Sequence, residues 1–164
     1  DLAESLYLTC ARTDSSYAAP AAFGLARIRE ARGDLAGAVS ALDMVAPVSR
    51  SFVEARRRRA ALLAHANGGL PTLAQALDSV TGVGVAARDR VQLTVEVLRA
   101  ALETVQADPG AGQGVRIGSV EATEPALRDG LEAAYRELAS LTDDQRERIE
   151  LVDAANGYRR WTLT

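Results

Sequence analysis

The chain is poor in the residues that carry most protein chemistry. It has one cysteine, Cys10, in 164 residues, which excludes an internal disulfide framework and any CxxC metal or redox pair and fits a cytosolic setting. It has one histidine, His65, with no second His or Cys at metal-ligand spacing, so the usual zinc patterns are missing. Aromatics amount to 4%. A core must therefore come from small and aliphatic side chains, the material of helix-on-helix packing. No apolar run approaches the roughly 18 residues that cross a bilayer, and no basic-then-apolar leader opens the chain. With a net charge of −3 there is no overall positive field to draw it onto nucleic acid or an anionic membrane. Neither nucleic-acid binding nor membrane insertion is expected, and nothing points to a cofactor.

What is present is 48% hydrophobic content dominated by Ala and Leu, with Arg and Glu as the main charges. That suffices for one helical domain over 1–164. The opening run "DLAESLYLTCAR" carries helical spacing from its first residues and no Met, so the sequence is expected to be a piece of a longer protein, with 1–12 the end of a preceding helical unit. That unit should pack on the first hairpin and leave one face underfilled. "FGLARIREARGDLAGAVSALDMV" reads as two helices around a tight turn. Leu25, Ala26 and Ile28 mark the first; Gly33, able to adopt the left-handed conformation, ends it; Asp34 can cap the second, which runs through Leu35, Ala38, Val39 and Leu42 to Pro47. So short a turn makes the pair antiparallel, and the first hairpin spans 17–47.

The device recurs. A second hairpin over 51–80 has Ser51 and Glu54 at capping-box spacing, an end at Gly68 and Gly69, and a second such box at Thr72 and Gln75. Long helices fill 87–158, the first with a seam of Val91, Val95, Leu98, Leu102 and Val105. The Gly-rich stretch 108–123 lacks periodicity and reads as an insertion or mobile loop. Pro125 suits a helix first turn, Thr142 and Gln145 offer a third capping box, and the last helix shows a stripe of Ile149, Val152, Ala155 and Tyr158. The tail 159–164 is basic and aromatic.

The step from Gly33 to Gly68 is close to the period of about 34 residues of tetratricopeptide repeats, helical hairpins stacked on one another. Leu25, Ala26, Gly33, Asp34, Leu35, Ala38 and Leu42 stand at the large and small positions of that repeat. Small side chains let paired helices approach at their crossings while large ones fill the grooves. The fold expected is all-α, a tetratricopeptide-like α-solenoid of about eight helices. More narrowly, "YAAPAAFGLARIREARGDLAGAVSALDMV", "SRSFVEAR", "LRDGLEAAYRELA" and "LVDAAN" resemble the C-terminal tetratricopeptide region of the protein kinase G family of actinobacteria, multidomain serine/threonine kinases. From residue 73 to 124 the likeness is in the order of helices alone. The resemblance implies an upstream kinase domain on the same chain, a homodimer contact and a protein or peptide substrate as partners. It carries no catalytic residue onto this sequence, which has no phosphate-binding Gly loop, HRD-type loop or DFG-type aspartate.

Other features have two readings each. The run Arg56 to Arg59 offers guanidinium groups for an oxyanion, yet four successive helical residues fan around the axis. At least one must lie against a neighbouring helix with its head paired to an acid, so a solvated face with structural ion pairs competes with a ligand site. Cys10 reads as a small buried apolar residue and His65 as a partly buried surface residue. Trp161, flanked by arginines, is either an interface anchor or a residue docked back on the last helix. Arg27, Arg56, Asn67, Arg88 and Trp161 are the candidate contacts. The alternative function is a generic peptide-binding module of another bacterial regulator, and a helical enzyme is a third class.

Overall fold

In the computed structural model, which describes residues 2–13 and 16–159, eight α-helices follow one another. They are α1 (Leu2–Ala11), α2 (Ala18–Ala31), α3 (Leu35–Leu42), α4 (Phe52–Ala64), α5 (Gly69–Asp78), α6 (Ala87–Ala107), α7 (Glu124–Ser140) and α8 (Gln145–Tyr158). Each helix packs on the next in sequence, and α4 also touches α6. The result is an all-α, tetratricopeptide-like solenoid.

The turn between α2 and α3 shows why the chain folds this way locally. Gly33 has φ +76°, a conformation open to glycine at little cost. Its amide donates to Glu30 O at 2.9 Å, and Asp34 N donates to Arg29 O at 2.9 Å, so the terminal carbonyls of α2 are satisfied. The Asp34 carboxylate then accepts from Gly37 N at 2.8 Å and caps α3. Ala22, Leu25, Ala26, Ala38 and Ala41 are fully buried between the two helices. Methyl-sized side chains at the crossing let the backbones approach, and the transfer of each Leu side chain from water contributes about 1.5–3 kcal/mol.

Two apolar clusters result. The first joins Ala11, the α2–α3 hairpin, Ala55 and Leu62. The second joins Ala60 and Leu63 with α5, α6 and α7, including the fully buried Leu127 and Leu131. Helix α4 therefore buries one side in each cluster. A helix of an array must cover its neighbours on both sides, unlike an amphipathic surface helix with one apolar stripe.

Several expectations are corrected. The Gly-rich stretch 108–123 is not a loose loop. A 3-10 turn (Pro109–Gly112) leads into an antiparallel hairpin of β1 (Arg116–Ile117) and β2 (Val120–Glu121). Ile117 is fully buried against the second cluster. Gly112 is buried so closely against the returning chain that a Cβ there would stand 1.9 Å from the Ala122 carbonyl oxygen. None of the three capping boxes forms as drawn. Ser51 makes no side-chain cap; its amide donates instead to the Ser49 hydroxyl. Thr72 lies inside α5, which starts earlier because Pro71 suits its first turn. Asp144, accepting from Arg146 N and Glu147 N at 2.8 and 3.0 Å, caps α8 in place of Thr142, which is buried and donates its hydroxyl to Glu147. On α8, Ile149 alone leaves the expected stripe, 55% exposed; Ala155 is fully buried, Val152 is half-buried and Tyr158 packs inward as expected, and Leu151 joins them. Cys10 is exposed rather than buried, as is His65.

Candidate functional site

The tetratricopeptide positions come together in one place. Leu25, Ala26, Ala38 and Leu42 meet in the first cluster, with Leu35 half-buried beside them and Gly33 and Asp34 forming the turn. Their chemistry is that of packing.

The cations are all arginine, since the chain contains no lysine. The four consecutive arginines of α4 divide three ways: Arg57 and Arg58 each take a separate acid, while Arg56 and Arg59 converge on one pair of residues. Arg57 pairs with Glu54 on its own helix at 2.9 Å, and Arg58 reaches back to Glu30 of α2 at 2.8 Å. Arg56 donates to the Ser79 carbonyl at 3.1 Å and to Asp43 at 3.0 Å. Arg59 donates to the same Asp43 oxygen at 2.9 Å and to the Ser79 hydroxyl at 2.5 Å. Asp43 and Ser79 are the C-terminal caps of α3 and α5, where the helix dipole favours positive charge. The planar fork of arginine suits such divided bonding. Ser79 is fully buried, and its hydroxyl also donates to Gln75 O at 2.7 Å. Arg56, expected among the contacts, is thus occupied in joining three helices.

Two smaller knots tie down the ends. Glu4 of α1 accepts from Arg29 at 3.1 Å and from Arg32 at 2.6 Å, while Arg29 also donates to Gly37 O of α3. The Arg29 hydrogen bond first, then Arg32, hold the Glu4 carboxyl below its ordinary range although partial burial opposes them. At the other end Arg88 of α6 meets Glu147 of α8 at 2.5 Å. The Thr142 hydroxyl, ahead of Arg88, lowers the Glu147 pKa against the effect of burial and of nearby Asp144. Tyr135 and Tyr158 stack at 5.7 Å between ring centroids; burial first, then Tyr158, raise the Tyr135 pKa.

The candidate contacts do not converge. Arg27 is exposed on α2, bordering a hollow of about 220 Å³ with Tyr7, Pro20, Phe23 and Arg58. Asn67 is exposed in the α4–α5 loop, at a cleft of about 340 Å³ that also involves His65 and Glu103. Arg88 sits at the start of α6 in its ion pair, and Trp161 lies outside the described residues. A wider cleft than these, of about 750 Å³, lies where sequence reasoning placed no site, between the end of α6, the hairpin and the start of α7, with Gln106, Arg116, Glu121 and Glu124 on its walls. The signal for that hairpin was Gly118-Ser119, a two-residue turn with glycine first, Gly118 having φ +58°. Among the described residues no group of three or more His, Cys, Asp or Glu side chains is placed to hold a metal ion, and no helix is long and apolar enough to cross a membrane.

A family described as protein kinase G tetratricopeptide repeat matches residues 1–162. The serine/threonine-protein kinase PknG of Mycobacterium leprae is 40% identical over 143 residues, 85% of this chain and 18% of that protein. The serine/threonine-protein kinase PknG of Mycolicibacterium smegmatis is 34% identical over 157 residues, 93% of this chain and 20% of that protein. The chain spans about one fifth of the length of these curated relatives.

Proposed function

The chain belongs to the protein kinase G tetratricopeptide repeat family, and on that premise we propose that it is the non-catalytic helical-repeat region of a serine/threonine protein kinase. Its work is protein contact: packing beside an upstream kinase domain, pairing with a second copy, and docking protein substrates for the kinase in the cytoplasm. The names of the relatives support the kinase parent. The contact role rests on one observation at the first helix. Tyr7, Leu8 and Ala11 of α1 pack on the first hairpin, whereas Leu2 and Leu6, one turn apart, are 75% and 58% exposed. Such a pair is the start of an apolar stripe on a helix that, in an array, needs a neighbour on each side. We assign α1 as the end of a preceding unit, covered in the parent by upstream chain.

The test is the double substitution Leu2→Asp and Leu6→Asp in the full-length parent. Loss of self-association by light scattering, or a changed rate of substrate phosphorylation with the array still folded by circular dichroism, is the expected result. A variant equal to wild type in both would remove the contact role of this face.

A second reading, a peptide-binding module of another regulator, draws on Arg27. It has no ion-pair or hydrogen-bond partner among the described residues, and Tyr7, Phe23 and Pro20 stand beside it. An unpaired cation next to apolar rings suits an acidic peptide. Titration with such a peptide, lost in Arg27→Gln, favours this reading; no binding by the wild type discards it.

A further inference from the structure

The chain has two asparagines, Asn67 and Asn156, and a glycine follows each. An Asn-Gly step is chemically exposed because glycine has no Cβ to keep its amide nitrogen away from the asparagine side-chain carbon. The fold treats the two steps differently. Asn156 lies within α8, where its side-chain oxygen accepts from Arg136 at 3.2 Å and its carbonyl accepts from Arg159 N at 3.2 Å. The Gly157 amide is held in the helical ladder, so attack requires α8 to open. Asn67 lies in the irregular loop between α4 and α5, exposed, with no hydrogen-bond partner for its side chain or for the Gly68 amide among the described residues. The Gly68 carbonyl alone is held, by the Thr72 hydroxyl at 3.0 Å.

We propose that Asn67 is a site of spontaneous deamidation and that α8 protects Asn156 from the same reaction. The Gly68 amide nitrogen gives up its proton to solvent base and bonds to the Asn67 side-chain carbonyl carbon. The side-chain nitrogen takes a proton and leaves as ammonia, which closes a five-membered succinimide. Water then adds to either imide carbonyl. Breaking the new bond gives aspartate; breaking the original main-chain bond gives isoaspartate, whose backbone is one carbon longer. No oxidant or cofactor takes part. The product puts a carboxylate one residue before Gly68, the cap of α5, which has no side-chain cap of its own; negative charge is favourable there. It also adds a charge to the cleft shared with His65 and Glu103.

The test is incubation of the folded chain at mildly alkaline pH, followed by peptide mapping for the amide-to-acid mass gain and by isoaspartyl methyltransferase labelling. Conversion at residue 67 should outpace that at residue 156 by more than about tenfold, the ratio set by local opening of α8. In urea-denatured chain the two rates should converge. Asn67→Gln should abolish the fast phase. Equal rates in the folded chain, a faster Asn156, or an unchanged ratio on denaturation overturns the proposal.

Discussion

Replacing Arg59 with methionine keeps the alkyl stem and removes the guanidinium. The side chain is 16% exposed and donates to Asp43 and to the Ser79 hydroxyl. A hydrogen bond to a charged group contributes about 1.5–3 kcal/mol, but two features reduce the sum. Asp43 is 41% exposed and keeps its bond from Arg56, and Ser79 keeps its bond to Gln75 O, so no buried group loses every partner. A loss of about 2 kcal/mol follows, which for a domain of this size lowers the melting temperature by roughly 4–8 °C. Arg57→Met is the control. Arg57 and Glu54 are 54% and 52% exposed and on one helix, and an exposed pair of this kind contributes less than about 0.5 kcal/mol. Urea and thermal unfolding followed by circular dichroism read both variants. A cycle with Ser79→Ala should return a coupling of about 1 kcal/mol. Equal losses for Arg59→Met and Arg57→Met would refute the knot as the reason for the arginine run.

Gly112→Ala forces a Cβ to 1.9 Å from the Ala122 carbonyl oxygen; a cost of about 2 kcal/mol or more is expected, with faster hydrogen exchange at Ala122 N, which donates to Val115 O. Gly24→Ala sets a methyl 2.7 Å from the Tyr7 ring, so limited proteolysis should release α1 while the α6–α8 region stays resistant. The depressed Glu147 pKa gives a signed pH effect. Its contribution is fully present above the ordinary glutamate value of 4.5 and is lost as pH falls through the lower folded value. Acid should therefore loosen the α6–α8 contact, an NMR titration should place the Glu147 midpoint below 4.5, and Thr142→Val should move it upward because the hydroxyl is the leading cause.

The hairpin of α2 and α3 was legible because its signals are local: Gly33 and Asp34 set the turn, and alternating Leu and Ala set the crossing. The capping box at α8 was misread for a local reason. Thr142 has the spacing of a capping box, but it is buried and its hydroxyl is engaged by Glu147, leaving Asp144 next in line. Ile149 has the spacing of the α8 stripe, yet it is 55% exposed while Ala155 and Tyr158 of the same stripe pack inward and Leu151 fills beside them. The stretch 108–123 hid its order because strands of two residues are too short for periodicity to register, and what stabilises them is Ile117 in a core contributed by distant helices. The candidate contacts failed to converge for a related reason. Spacing can find exposed arginines, but Asp43 and Ser79, which decide where Arg56 points, stand 13 and 23 residues away from it in sequence.

Because α4 lies in both apolar clusters, the polypeptide has no seam at which it divides into two self-sufficient halves. A fragment ending before Phe52 uncovers Ala38 and Leu42, and one beginning after Ala64 strips Leu70 and Leu73 of their neighbours. Within this chain taken alone, unfolding should begin at α1 or α8 rather than at α4, which contributes to both clusters.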